Sequence, residues 1–458
     1  MIRKFAVIIA VITGITGAGT FFAPDFAYAA AVPPEIIAEA GILIDGTTGE
    51  VLYTKNENAT LEPASTTKMI TCFLALENLD MNKVVTIDAE TPFTDGTRIY
   101  LEEGEQITVE NLIYALMVES ANDAAVALAK EISGSVEAFA VKMNERAKEL
   151  GATSTTFVNP NGLHAEGHLT TVHDLAMIAK GCMENETFRT ICSTYYHYIP
   201  ATNEQDERHI YNRNRLLYDD KTLVPVNGVN VPAKYEGAIG VKTGYTSHAG
   251  GCLVAAAERD GTYLIAAVMK STDDGRFGDC IALFDYGFTG YHTVKAVDIA
   301  DDMGRTKVEH GAVSDVGLKL ASDAYVTLPI EASSSVLSTK LVLNETIKAP
   351  VKKGDELGRL EVYEGGDHLL TSVSVLAAED VGDGTMLSVF GIENRTAYII
   401  YTVSGIIIAL VLILTVTYIV LKRRQIKRRK ERRAKRAMEI AMKRLEREKD
   451  ITKRDWRF

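Results

Sequence analysis

Apolar and polar residues alternate along this chain in three textures, each predicting a different kind of element. The stretch EAGILIDGTTGEVLYTKN holds two β-rich runs around Gly46-Thr47-Thr48-Gly49 and predicts a hairpin. Helical spacing follows at Ser65–Leu79, Val109–Leu116, Asn122–Ile132, Val136–Leu150 (closed by Gly151) and Thr171–Met183. Strand patterns return at Ala238–Val241, Gly251–Ala257 and Tyr263–Met269, followed by a helix at Phe277–Tyr286. Strands at both ends with helices between them predict an α+β domain, an antiparallel sheet covered by helices, over residues 30–293.

The texture changes over residues 294–393. AYVTLPI, TKLVLN, GRLEVYEG and LLTSVSVLAA are short alternating runs separated by Gly, Asp and Asn, which predicts a small all-β domain. The third texture is continuous. AYIIYTVSGIIIALVLILTVTYIVL, Ala397 to Leu421, carries no charge and is long enough to cross a bilayer core of ~30 Å. Tyr398, Tyr401 and Tyr418 near its ends suit the membrane interface.

Charge then gives the span a direction. From Lys422 onward there are 18 basic and 6 acidic residues, a net of +12, which predicts a cytoplasmic tail over residues 422–458. Spaced apolar residues from Ala434 on (Ala437, Ile440, Ala441, Leu445) suggest a short amphipathic helix along the membrane surface. At the other end, Arg3 and Lys4 precede an apolar run, and Ala27-Tyr28-Ala29 offers a cleavage site, so residues 1–29 read as a signal peptide. A retained N-terminal anchor is the alternative. The expected protein is single-pass, with its bulk outside the cell.

The chain's net charge of −12 conceals a division, because setting aside the tail (+12) and the leader (+1) leaves −25 on the portion between them. An acidic outer portion argues against nucleic acid as a partner, and the basic tail reads better as contact with lipid headgroups. Five cysteines do not make a disulfide framework. Cys72 and Cys252 lie in apolar runs and suit a core; Cys182 and Cys192 could pair. No His/Cys run has structural-zinc spacing, so neither metal nor cofactor is expected.

Candidate chemistry begins in LEPASTTKMITCFLALEN. Ser65 and Lys68 at i, i+3 share one face of a helix start, so the amine could take the hydroxyl proton. An ordinary N-cap reads equally well from this segment alone. Two later motifs are similarly ambiguous singly: Ser120-Ala121-Asn122 before an apolar helix, and Lys242-Thr243-Gly244 at the end of a short strand. In this order, S-x-x-K, S-x-N and K-T-G are the signature of penicillin-recognising serine acyltransferases, here with S-A-N as the middle element.

The flanking residues narrow the likeness. PASTTKM, ESANDAA, FVNPNGL followed by His168 and TTVHDLA, and VKTGYTSHAG resemble the low-molecular-mass penicillin-binding proteins that are D-alanyl-D-alanine carboxypeptidases. The resemblance runs from Ala38 to Tyr291, and the β-rich second domain also suits that family. It implies the β-lactamase/penicillin-binding-protein fold, peptidoglycan stem peptides as substrate and β-lactams as covalent inhibitors. The anchor departs from the pattern: relatives often end in a helix lying on the membrane, whereas this chain reads as crossing it.

The resemblance implies roles as well. Ser65 is the expected nucleophile and Lys68 its base, kept partly neutral by burial and by a second cation, Lys242. Ser120 would relay a proton to the leaving amine, while Asn122 would hold Lys68 and the substrate amide. Lys242, Thr243 and Arg276 would meet the terminal carboxylate. The backbone N–H groups of Ser65 and Tyr245 would form the oxyanion hole, with Gly244 leaving room for the ligand. His168 suggests a Ser-His-Asp triad, but S-x-x-K already supplies a base, and Asp174 is expected to cap the Thr171–Met183 helix. Three rival functions stay in view: a D,D-endopeptidase acting on cross-links, a non-catalytic muropeptide sensor, and a β-lactamase, for which no E-x-x-L-N-like segment is present.

Overall fold

The computed structural model describes residues 32–454, so the leader expected over residues 1–29 lies outside the described residues. Two compact units emerge: residues 32–298 with 323–340 and 361–372, and residues 299–322 with 341–360 and 373–454.

The first unit is organised by five antiparallel strands: β1 (Ala40–Asp45), β2 (Val51–Lys55), β3 (Ala238–Thr246), β4 (Gly250–Arg259) and β5 (Thr262–Ser271). Their spatial order is β2-β1-β5-β4-β3. Because side chains alternate across a strand, β4 serves two cores at once. Cys252, Val254 and Ala256 face one core, whereas Leu253, Ala255 and Ala257 face the other.

The first core is completed by helices α1 (Lys68–Asn78), α2 (Val109–Tyr114), α3 (Asn122–Ser133), α4 (Val136–Glu149), α5 (Val172–Met183) and α6 (Glu186–Ser193). The second is closed by α7 (Gly275–Gly290), whose Phe277, Cys280, Leu283 and Phe284 are fully buried. Each such large apolar side chain stabilises the fold by about 1.5–3 kcal/mol. This is the predicted architecture, an antiparallel sheet covered by helices.

Several boundaries differ from the sequence expectation. α1 starts at Lys68, not Ser65, because a 3₁₀ turn (Ala64–Thr67) precedes it and Ala64 sits at φ 48°. α2 ends at Tyr114 and continues as one π-helical turn, Ala115–Glu119, which delivers Ser120 in a left-handed conformation. The helix at 172–183 is capped by Thr171, whose hydroxyl accepts from Asp174 N, so Asp174 is not its cap. Its carboxylate instead takes Ser154 N and the Thr155 hydroxyl, both at 2.7 Å. All five cysteines are buried free thiols, Cys182 and Cys192 included.

The second unit contains β structure with Val316, Leu318, Leu320, Val373, Val375 and Ala377 buried along paired strands. It ends in α8 (Asn394–Arg454), a single helix of 61 residues. The separate amphipathic helix expected from Ala434 is therefore part of this one rod. Between Leu421 and Arg454 there is no Gly or Pro, and Glu431/Lys435 and Glu439/Lys443 are i, i+4 pairs that favour continuity. The apolar part of α8 is long and hydrophobic enough to cross a membrane, and from Tyr398 onward it is exposed.

Candidate active site

The chain reaches the cleft through a short bridge in which Leu61 N donates to Thr170 O at 2.8 Å. Ala64 then turns the backbone sharply. The hydroxyls of Thr66 and Thr67 donate back to Pro63 O (2.7 Å) and Ala64 O (2.8 Å), tying the turn down. Neither the Ser65 nor the Thr67 side chain caps the helix. Ser65 Oγ instead meets Lys68 Nζ at 2.9 Å.

Gly162 makes this turn possible. It lies at φ +84°, and a Cβ there would fall 1.8 Å from Ala64 O. Gly244 packs on the same turn from β3, with a hypothetical Cβ 3.0 Å from Ser65 N, so the K-T-G strand and the nucleophile turn are in van der Waals contact.

Lys68 is fully buried. Besides Ser65 Oγ, its Nζ contacts Asn122 Oδ1 and the main-chain oxygen of Asn161, both at 2.6 Å. Burial, and then the nearby Lys242, push the amine well below the ordinary lysine range; buried Asp123 opposes them. Asn122 opens α3, and its Nδ2 donates to Asp95 O at 2.7 Å, which orients its Oδ1 toward the amine.

Lys242 is also buried, with Nζ donating to Thr243 O at 3.2 Å. Burial, then the charges of Arg213 and Arg276, lower it to about 7, against the pull of Glu119. Arg276 donates to Gly244 O at 2.7 Å and pairs with Asp273 at 2.6 Å, leaving its Nε buried without a partner. Its guanidinium therefore braces the K-T-G strand through the Gly244 carbonyl.

Ser65, Ser120, Thr243, Gly244, Tyr245 and Arg276 line one open cleft of about 790 Å³; behind Ser65, buried Lys68 bonds Asn122 and feels the charge of buried Lys242. All nine candidate residues are thus gathered. The cleft also exposes Thr97, Arg213, Arg215 and Tyr218, which sequence reasoning did not single out. Arg213 donates to Glu119 O at 2.9 Å, and Arg215 pairs with Asp274 at 2.8 Å while stacking on Phe277. These arginines sit in RNRLL, a segment with no motif to announce it.

His168 is placed elsewhere. Its Nε2 bonds the Thr67 hydroxyl at 2.9 Å and its Nδ1 accepts from Val158 N at 3.0 Å. Thr67 already donates to Ala64 O, so Nε2 carries the proton and the ring is a neutral strut. Burial lowers its pKa to about 4.

A cleft serine paired with a buried lysine, a serine on a left-handed turn and a lysine-bearing edge strand around one cleft define a serine acyltransferase of the penicillin-recognising class. Comparison with known proteins agrees. Residues 27–273 match the D-alanyl-D-alanine carboxypeptidase family, and residues 291–383 match the C-terminal domain of penicillin-binding protein 5. D-alanyl-D-alanine carboxypeptidase DacF of Bacillus subtilis is 34% identical over 350 residues, covering 75% of this chain and 86% of its own length. The crystal structure of penicillin-binding protein 5 from Haemophilus influenzae superposes with a TM-score of 0.64 at 29% identity, covering 77% of this chain and 99% of that one. The Streptomyces K15 DD-transpeptidase gives 0.51 at 33% identity, covering 56% and 99%. The chain belongs to the D-alanyl-D-alanine carboxypeptidase family, the low-molecular-mass penicillin-binding serine hydrolases.

Proposed function

We propose that this serine D-alanyl-D-alanine carboxypeptidase removes the terminal D-alanine of peptidoglycan stem pentapeptides through an acyl-enzyme on Ser65. The observation that carries the reading is the surroundings of Lys68. A neutral amine has two hydrogens and one lone pair. Asn122 Oδ1 and Asn161 O can only accept, so they take both hydrogens. The lone pair is left facing Ser65 Oγ, the one neighbour with a proton to give.

From this the steps follow. Ser65 Oγ attacks the penultimate carbonyl as its proton passes to Lys68. The developing oxyanion is met by the backbone N–H groups of Ser65, on its 3₁₀ turn, and Tyr245, on β3, which pack together at Gly244. Ser120 relays the proton taken up by Lys68 to the departing D-alanine amine, which leaves Ser120 a hydroxyl and Lys68 neutral again. Asn122 holds Lys68 and the substrate amide, while Lys242, Thr243 and Arg276 supply the positive field and hydroxyl that receive the terminal carboxylate. Water then releases the shortened peptide. A β-lactam follows the first half of the same path and stays bonded.

In this reading residues 30–293 are the catalytic domain and 294–393 a spacer. The apolar helix 397–421 anchors the protein, with the catalytic domain outside and residues 422–458 inside. The basic tail supports that orientation. Free D-alanine released from a pentapeptide by the purified protein, together with fluorescent-penicillin labelling lost in Ser65→Ala, tests the chemistry. Absence of both would overturn it. Tail epitopes surviving protease added to intact cells test the topology.

A further inference from the structure

Glu62, His164 and His248 come from three separate segments, yet their ligand atoms all lie within 4.8 Å of one another. His164 Nδ1 is 2.9 Å from Glu62 Oε1. The imidazoles of His164 and His248 stack with centroids 4.1 Å apart at 11°. From these contacts we infer that the three residues form a binding site for a divalent transition cation of the zinc class.

The donor set is two imidazoles and a carboxylate, which suits zinc, and three protein ligands leave a fourth position open. Zinc bonds of about 2.0–2.1 Å put tetrahedral ligands roughly 3.4 Å apart. The Glu62–His164 pair is already inside that spacing. His164 and His248 are exposed, so rotation of their side chains brings the third donor in without moving the backbone. Metal entry displaces the hydrogen shared between His164 Nδ1 and Glu62 Oε1.

The position gives the site its interest. Each ligand stands three residues from a group in the cleft: Glu62 before Ser65, His164 after Asn161, His248 after Tyr245. One bound cation would therefore tie together the nucleophile turn, the loop whose carbonyl holds Lys68, and the turn that follows the K-T-G strand. The site goes beyond the acyl-transfer reading and does not depend on it.

The test uses the full chain in detergent, without a polyhistidine tag, stripped with chelator and dialysed against zinc. The expected result is one zinc per chain, with affinity reduced about tenfold or more in His164→Ala and in His248→Ala. His209→Ala, which alters an exposed histidine elsewhere, should retain wild-type affinity. Saturating zinc should raise the Tm of the wild type by roughly 5 °C and leave the two ligand variants unmoved. Cobalt(II) should give the intense visible bands of a four-coordinate site. Penicillin labelling of each variant shows that it has folded. No retention at millimolar zinc, or equal retention in all variants, would overturn the inference.

Discussion

Asn122 Oδ1 accepts a hydrogen bond from Lys68 Nζ at 2.6 Å across 54 residues of chain. The two are neighbours because Asn122 begins α3 while Lys68 begins α1, and both helix starts point into the same cleft. Replacing this amide with a carboxylate keeps the shape and reverses the electrostatics. In Asn122→Asp the new charge favours protonated Lys68. The acid limb of kcat/KM for penicillin acylation should move to higher pH, and the rate at pH 7 should fall roughly 100-fold. Stopped-flow acylation across pH 5–10 checks both.

Lys242 titrates near the working pH, about 7. A bound carboxylate favours its charged form, so a carboxylate ligand should take up protons above pH 7, and its affinity should weaken as pH rises. Calorimetry in buffers of different ionisation heat measures that uptake. The folded value lies below the lysine reference of 10.5, so between pH 7 and 10.5 the unfolded chain holds a proton that the native one lacks, and stability rises with pH. Lys242→Met should abolish labelling yet raise the Tm by a few degrees at pH 7. That gain should shrink toward pH 10.

Gly162 admits no side chain where its backbone meets Ala64. Gly162→Ala should cost about 2 kcal/mol or more in stability, from the positive φ and the clash together. It should also slow acylation by displacing the Ser65 turn. Urea denaturation and penicillin labelling separate the two effects.

His168 supports the nucleophile turn through Thr67. His168→Ala loses two hydrogen bonds and leaves Val158 N unpartnered, a loss of about 2–4 kcal/mol. The acid limb of acylation should not move in the residual activity, as it would if this ring were the base. Because the folded pKa is about 4, below the 6.5 reference, the neutral ring contributes stability that is present above pH 6.5 and lost as pH falls toward 4. Wild-type midpoints should show that decline and the variant should lack its share.

What was legible in advance was whatever repeats locally. The unbroken apolar run of Gly251–Ala257 announces a strand because both its faces are buried, and the helical period of Val136–Leu150 shows because one face must be. The K-T-G strand is longer than its pattern predicts: Gly240 and Gly244 weaken the period after Val241, yet pairing to β4 carries it through Thr246. Ser65 looked like a helix cap because its neighbours Thr66 and Thr67 have the right chemistry; only the left-handed Ala64 shows that the helix begins later. The contribution of Asn161 is a main-chain oxygen, which leaves no trace in side-chain identity. Glu62, His164 and His248 are separated by 102 and then 84 residues, so no spacing rule could join them.

Lys68 is gripped from three directions before any ligand arrives. Its orientation is settled when the chain folds, so no torsional freedom remains to be surrendered as the covalent bond forms. The activation entropy that a stem peptide or an antibiotic meets here is then governed by its own ordering, and rigid bicyclic drugs begin with the smaller part of that ordering left to do.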